Sequence, residues 1–475
     1  MLFNSFEFAI FLPIVFALFW LVPDKYRNLV ILAASYYFYI SWNVKYVVLI
    51  LACTLISFLS GRLMDGGVNA RHRKAVLGFS VMLCLLILGY FKYYNLLAET
   101  LMYILKHAGA GEIDLMRDIL LPVGISFYTF QSVGYIADVY KGRVKAEKNL
   151  LDYAAFVSYF PQLVAGPIER TENLLPQIKA AKHFDYDSAS YGMKLMVWGF
   201  YKKLVIADVM APYVNTVYNN VRAHAGFDLI LAIVFHTIQI YCDFSGYSDI
   251  ARGCSRLFGI GLMKNFDSPF YSKSVSEFWR RWHISLTSWF RDYVYIPLGG
   301  NRKGALRKDL NLLVVFFLSG LWHGSSWHFV LWGTVHGIAQ IIEAYLKKPL
   351  DVLRKTKPGS LFCMLYADLV FTVALVFFRA PSVSDALYAF RHFFDGIGSK
   401  SFWLNRMQLW PAQAAVIFVS VVLLFVFDAV NMKKDVIELI GKKKPVVRYG
   451  IYIMMLLVIM LFKASGNAEF VYFQF

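Results

Sequence analysis

The sequence predicts an all-α protein that crosses a lipid bilayer about 10–12 times as one membrane-embedded domain over residues 1–475. Of its 475 residues, 58% are hydrophobic and only 17% are charged, where a soluble domain has roughly 25% charged residues. The mean hydropathy is +0.52. Uncharged apolar runs recur along the chain, and a helix needs roughly 20 such residues to cross the hydrocarbon core. Together these observations exclude a soluble multidomain protein.

The predicted spans are taken in chain order. The first, Met1–Val22, has no Lys or Arg before Lys25, so it lacks the basic start of a cleaved signal peptide and is expected to stay as a helix. Lys25 and Arg27 after it favour an outside N-terminus. Two apolar segments, 150–166 and 250–263, are short and contain Gly or Pro, which indicates re-entrant or interfacial helices. The other spans are expected at 28–42, 45–63, 75–93, 119–138, 190–215, 227–245, 310–322, 326–346, 361–379, 412–430 and 448–465.

The run Leu310–Ile342 carries no formal charge. As one straight helix it would be about 50 Å long, too long for a single span. We expect a break at Gly324-Ser325-Ser326, because Gly and Ser are weak helix formers. A break at membrane depth is tolerated where the backbone faces protein or a water-filled cavity. His323, just before the break, is therefore predicted to point into a cavity.

A histidine inside a membrane span is a candidate for function. Its unperturbed pKa near 6.5 lets a neutral imidazole take a proton from an attacking hydroxyl at neutral pH. The alternative is a structural histidine that hydrogen bonds between helices, which we favour for His328 and His336. His323 and His328 are five residues apart and diverge around a helix, and no spacing typical of metal ligands is present. No metal site is therefore expected.

The net charge of +17 indicates basic cytoplasmic loops, and no basic soluble module for nucleic acid is visible. The segment Arg252–Lys308 holds eleven basic and three acidic residues interleaved with aromatic residues. That pattern fits an anchor to anionic lipid, or a basic mouth for a phosphorylated, amphiphilic substrate such as a coenzyme A thioester. The five cysteines are scattered without CxxC spacing, so neither a disulfide framework nor a zinc site is expected.

Several motifs resemble a known family. The run Glu277–Leu286 (EFWRRWHISL), continued by Arg291–Asn301 (RDYVYIPLGGN) and by Trp322-His323-Gly324 downstream, is similar to the signature of membrane-bound O-acyltransferases. Three further stretches are similar to the bacterial branch that O-acetylates exopolysaccharides and cell walls: PVGISF at 122–127, FPQLVAGPI at 160–168 and DFSGYSD at 243–249.

The resemblance implies a fold with a central tunnel and assigns roles to residues. The histidine matching His323 is the essential catalytic residue of the family, which we take as the base. The position of His283, occupied by Asn, His or Asp across the family, is the second signature residue, and we expect His283 to be a supporting polar group. The basic segment is expected to hold the phosphates of the acyl donor through Arg280, Arg281, Trp282 and Arg291.

The C-terminal residues Phe470–Phe475 (FVYFQF) resemble the aromatic tail of alginate and peptidoglycan acetylation proteins, and of a small partner in teichoic-acid D-alanylation. By that likeness Tyr472 accepts the acyl group as a relay. The alternative is a tail that packs its aromatic residues at the membrane interface.

The resemblance implies an enzyme of the bacterial inner membrane without a tightly bound cofactor. It would pass acetyl from cytoplasmic acetyl-CoA to an extracytoplasmic acetyltransferase partner, for an alginate-like polysaccharide or peptidoglycan. One alternative is D-alanyl transfer to teichoic acid from a carrier-protein thioester. Another, of a different class, is a non-catalytic transporter or flippase. Asp368, inside a predicted span, supports the transporter because intramembrane carboxylates often serve ion paths.

Overall fold

The computed structural model describes residues 1–66, 68–109, 113–164, 166–398, 411–463 and Phe470, and these residues form helices and connecting segments only. The all-α prediction is confirmed. The helices are α1 (Phe6–Leu21), α2 (Asp24–Ile40), α3 (Val47–Met64), α4 (Ala70–His107), α5 (Ile125–Tyr140), α6 (Leu150–Ser158), α7 (Phe160–Leu163), α8 (Thr171–Lys179), α9 (Tyr186–Tyr201), α10 (Asp208–Tyr218), α11 (Phe227–Arg256), α12 (Val275–Arg281), α13 (Ile284–Phe290), α14 (Ala305–His323), α15 (Trp327–Tyr345), α16 (Lys347–Leu353), α17 (Lys357–Arg379), α18 (Val383–His392), α19 (Pro411–Asn431), α20 (Val436–Gly441) and α21 (Pro445–Phe462).

Six of the described helices are long and apolar enough to cross a bilayer. Helices α15 and α16 meet the same criterion only as a pair, bent by 79°. Helix α1 is apolar but has 16 residues. These helices support a protein that passes through the membrane several times. The six are α4, α11, α17, α19, α21 and the helical stretch Val44–Met64 that contains α3.

Several of the expected boundaries were wrong, and α4 and α11 give two examples. The span expected at 75–93 is part of the 38-residue α4, which begins at the N-cap Asn69. At its start, Arg73 donates from Nη2 to the carbonyls of Val139 and Tyr140 at the end of α5, and at its other end the helix continues past residue 93 to His107. The segment expected at 250–263 is not separate, since α11 continues to Arg256.

The chain folds into two compact units, Met1–Met193 with Ala251–Met263, and Lys194–Ile250 with Lys264–Phe475. The first unit is built around α6 and α7, a short helix pair interrupted at Tyr159. Tyr153 of α6 donates its hydroxyl hydrogen to Ser57 at 2.7 Å, and Phe160 packs edge-on against Phe11. The segment 150–166, expected as a re-entrant or interfacial helix, is therefore largely buried in the interior of this unit over its described residues. The prediction of one domain over 1–475 stays a prediction.

The second unit contains a close crossing of two helix backbones. A Cβ atom on Gly199 of α9 would lie 2.6 Å from the carbonyl oxygen of Gly246 in α11, so only glycine fits there. Beyond Gly199 the helix widens into a π-helical segment, Lys202–Ala207. Its two lysines are buried beside the crossing and pair with carboxylates of α10 and α11. Lys202 pairs with Asp249 at 2.7 Å, and Lys203 with Asp243 at 2.7 Å and Asp208 at 2.8 Å.

The second unit also contains the hairpin of α14 and α15, which are joined by Gly324-Ser325-Ser326 as the sequence predicted. The two helices approach through glycines. A Cβ atom on Gly320 would lie 2.4 Å from the carbonyl oxygen of Phe329, and one on Gly333 would lie 2.2 Å from that of Phe316. Direct backbone contact therefore fixes how the two helices pack.

This packing predicts the effect of adding one methyl group. We expect Gly333→Ala to lower the free energy of unfolding by about 1–3 kcal/mol, because α14 and α15 must separate. The measurement is thermal unfolding of detergent-solubilised protein, followed by tryptophan fluorescence. In the control Gly78→Ala, on α4, the new Cβ meets no atom within 4 Å. We expect this control variant to be more stable than the wild type by roughly 0.5–1 kcal/mol, because alanine is favoured over glycine inside a helix. Equal melting temperatures for the two variants would contradict this account.

Candidate active site

His323 is the last residue of α14, where the helix ends against an extended Gly324. A Cβ atom on Gly324 would lie 2.1 Å from the ring of Phe329. The glycine beside His323 is therefore required by packing, because any side chain would displace this aromatic ring. The hairpin thus places His323 at a fixed helix end.

Aromatic rings from two further helices surround His323, which is 3% exposed. Its ring centroid lies 4.8 Å from that of Trp332 in α15 and 5.6 Å from that of Phe378 in α17, both edge-on. Trp322 lies 5.0 Å away. Such surroundings exclude water, and the electrostatic interactions of a reacting group are stronger there than in water.

His283 lies beside His323, with 6.4 Å between their ring centroids. It is fully buried between α12 and α13 and has a left-handed backbone, with φ 44° and ψ 53°. Only a few per cent of residues other than glycine adopt positive φ, among which Asn, Asp and His are enriched. The 6.4 Å separation shows that the structure brings together the two histidines that the sequence singled out.

Asn265 contacts His283 and was missed by sequence reasoning. Its side-chain oxygen lies 3.3 Å from Nδ1 of His283 and accepts hydrogen bonds from the backbone N–H and hydroxyl of Ser285. Its backbone carbonyl accepts from the N–H of Ile284 at 2.9 Å. Asn265 lies 18 residues before His283 in a segment without a recognisable motif. Nothing in the sequence pattern indicated this contact.

Burial lowers the pKa of His283 to about 3. The ring is therefore neutral at ordinary pH, so it supplies a hydrogen-bonding group and no charge. The role of His283 as a supporting polar group stays a prediction.

Helix α12, which leads to His283, is fixed at its start by a carboxylate of α15. Oε2 of Glu343 accepts from the backbone N–H of Val275 at 2.8 Å. Oε1 of Glu343 pairs with Arg354 at 2.6 Å, and Arg354 also donates to the carbonyl of Lys273. A negative group at a helix N-terminus is stabilising. Through Glu343, the helix that carries Trp332 also holds the segment that carries His283.

The four residues expected to bind the donor occupy different environments. Arg280 and Arg291 are exposed, and Arg291 pairs with Asp292 at 2.8 Å. Arg281 pairs with Glu277 at 2.9 Å. Trp282 is 2% exposed and stacks on Phe278 with 5.6 Å between ring centroids. The exposed arginines remain accessible to phosphates, whereas Trp282 is part of the aromatic packing; donor binding by all four stays a prediction.

The aromatic tail touches this site through Phe470, which is 1% exposed. Its ring lies 4.8 Å from that of Tyr247 and 5.9 Å from that of Phe244. Phe244 in turn lies edge-on to His283 at 4.6 Å. Tyr472, the expected relay, lies outside the described residues.

Known proteins are similar to this chain over most of its length. The probable alginate O-acetylase AlgI of Azotobacter vinelandii is 39% identical over 430 residues, which are 90% of this chain and 85% of that one. The peptidoglycan O-acetyltransferase of Helicobacter pylori is 33% identical over 422 residues, 82% of this chain and 78% of that one. A teichoic acid D-alanyltransferase of Streptococcus thermophilus is 30% identical over 267 residues, 52% of this chain and 63% of that one.

The family model of membrane-bound O-acyltransferases matches residues 143–354, a range that contains His283 and His323. Together with the relatives that match more than four-fifths of this chain and with the all-helical fold, this match identifies the chain as a member of the membrane-bound O-acyltransferase family and as an O-acyltransferase.

Proposed function

We propose that this O-acyltransferase takes acetyl from cytoplasmic acetyl-CoA and passes it across the bacterial inner membrane for O-acetylation of an extracytoplasmic polysaccharide. The observation that carries the proposal is the pair of buried histidines, 6.4 Å apart, at the end of the α14–α15 hairpin. Acyl transfer from a thioester needs a base, positioning of the reactants and stabilisation of the oxyanion. A buried imidazole beside a second, neutral imidazole supplies the first of these.

In the proposed reaction His323 removes the proton from an attacking hydroxyl. The hydroxyl oxygen forms a bond to the thioester carbonyl carbon, and the C–S bond breaks. The proton on His323 then goes to the leaving thiolate, so that the histidine is neutral again. The products are an oxygen ester and free coenzyme A.

Basic residues near the site support a phosphorylated donor. Arg280 and Arg291 are exposed on the segments that flank His283, and guanidinium groups bind phosphate oxygens through paired hydrogen bonds. Basic segments of membrane proteins concentrate on the cytoplasmic side, where acetyl-CoA would be encountered. We therefore propose that coenzyme A binds here as a substrate, and that no cofactor is held permanently.

We further propose that Tyr472 provides the attacking hydroxyl. Phe470, two residues earlier, is buried against Phe244 and Tyr247, and Phe244 contacts His283. The proposal requires the hydroxyl of Tyr472 to reach His323 from the contact that Phe470 makes. The acetylated tyrosine would then be the form that an extracytoplasmic acetyltransferase partner unloads.

The acceptor is proposed from the relatives. One is named as a probable alginate O-acetylase and another as a peptidoglycan O-acetyltransferase, and each matches more than four-fifths of this chain. The teichoic acid D-alanyltransferase matches about half of it. We therefore favour acetyl transfer to an alginate-like polysaccharide or peptidoglycan over D-alanyl transfer.

Replacing the base should stop the reaction. We expect His323→Ala to lower the rate of coenzyme A release from radiolabelled acetyl-CoA by roughly 10²–10⁴-fold, with the melting temperature almost unchanged. The matched control is His328→Gln. His328 lies on α15 and its Nδ1 is 2.9 Å from the carbonyl oxygen of Phe377, so its variant should keep nearly full activity.

If the wild type releases no coenzyme A, either acetyl-CoA is not the donor or the reaction needs its partner protein. A D-alanyl carrier-protein thioester is then the next donor to test. If activity or transport survives His323→Ala, the covalent mechanism is wrong and a transporter becomes the better description.

The tail proposal has its own test. With acetyl-CoA labelled in the acetyl group, the wild type should carry label on the protein, and Tyr472→Phe should carry none because it lacks the hydroxyl oxygen. The readout is mass spectrometry of the C-terminal peptide. The control is Tyr449→Phe on the exposed face of α21, which should leave the label in place. Normal acetyl transfer to the polymer by Tyr472→Phe would refute the relay.

A further inference from the structure

The side chain of Asn265 is fixed in one orientation by Ser285. The backbone N–H of Ser285 can only donate, and it lies 3.2 Å from the Asn265 atom assigned as oxygen, Oδ1. The hydroxyl of Ser285 donates to the same atom at 2.8 Å. A side-chain amide in the reverse orientation would direct its own N–H groups at a backbone N–H. The atom that faces Ser285 is therefore the oxygen.

The same oxygen faces Nδ1 of His283 at 3.3 Å. Because an amide oxygen only accepts, Nδ1 must carry the hydrogen in this contact. Burial lowers the pKa of His283 to about 3, so the ring holds one proton and not two. In a neutral imidazole with hydrogen on Nδ1, the other nitrogen, Nε2, is an acceptor.

We propose that Asn265 is a positioning residue that holds His283 in the tautomer with hydrogen on Nδ1, so that Nε2 acts as a hydrogen-bond acceptor in acyl transfer. This inference rests on the proposed function and adds to it whether Nε2 of His283 donates or accepts a hydrogen bond. His283 then receives a hydrogen bond from a hydroxyl or N–H group of the reacting assembly. It does not donate from Nε2 to the developing oxyanion, which must be stabilised by other groups.

The backbone of the same segment strengthens the assignment. The carbonyl of Asn265 accepts from the N–H of Ile284, the residue after His283, at 2.9 Å. Asn265 therefore contacts both the main chain next to His283 and the ring of His283. These two contacts fix the direction of the ring and its tautomer, much as neighbouring groups orient the histidine ligands of metals.

The first test is kinetic, with the full-length protein in detergent or nanodiscs and acetyl-CoA as donor. Asn265→Leu keeps a similar volume but removes the accepting oxygen, and we expect it to lower kcat for coenzyme A release on the order of tenfold or more. KM for acetyl-CoA should change little. Asn265→Asp keeps an accepting oxygen and should lose less than Asn265→Leu.

As a control, Asn265→Leu is also made in a His283→Asn variant, because an asparagine side chain has no tautomers. If Asn265 acts through His283, Asn265→Leu should have a much smaller effect in that background than in the wild type, because the two residues then belong to one interaction. An equally large loss in both backgrounds would show a purely structural role and overturn the inference.

The second test reads the tautomer directly. Protein with ¹⁵N-labelled histidine is compared with its His283→Asn variant by solid-state NMR, so that the missing signals identify His283. We expect a protonated Nδ1 and an unprotonated Nε2. A protonated Nε2 in the wild type would overturn the proposal, even if Asn265→Leu failed to fold. The spectrum does not depend on the donor, so absence of acetyl-CoA turnover would count against the proposed function alone.

Discussion

Direct contact between helix backbones is the constraint on which the site depends. Where α14 and α15 meet at Gly320 and Gly333, no side chain separates them, so their spacing cannot vary by much without loss of packing. His323 ends one of these helices and Trp332 lies on the other. Their edge-on contact therefore follows from the close approach of the two helices at the glycines.

The crossing of Gly199 and Gly246 is a second direct contact between helix backbones. Buried lysines and carboxylates beside it form ion pairs, and a buried charge is tolerated only when it is paired. This explains why the motif at 243–249 contains acidic, glycine and aromatic residues side by side. Its Asp243 and Asp249 face the lysines, Gly246 makes the crossing, and Phe244 and Tyr247 face Phe470 and the site. One short motif thus joins the helix packing, the ion pairs and the tail.

The membrane class and the helix break after His323 could be predicted because each depends on local sequence. Apolar runs, weak helix formers and a family signature are all visible along the chain. The contact from Asn265 could not be predicted, since it depends on where a segment without a motif folds back. The start of α4 was also missed, since the carbonyls of α5 that accept from Arg73 are distant in sequence.

The left-handed backbone at His283 limits which side chains this position can carry without strain. Asparagine, aspartate and histidine are the side chains that tolerate this conformation most readily, and they are also short polar groups able to hydrogen bond with a reactant. Replacing His283 by Asn or Asp is therefore expected to keep both the backbone conformation and a polar group at this position. An alanine variant at this position would test backbone strain and lost polarity at once, and asparagine is the cleaner replacement.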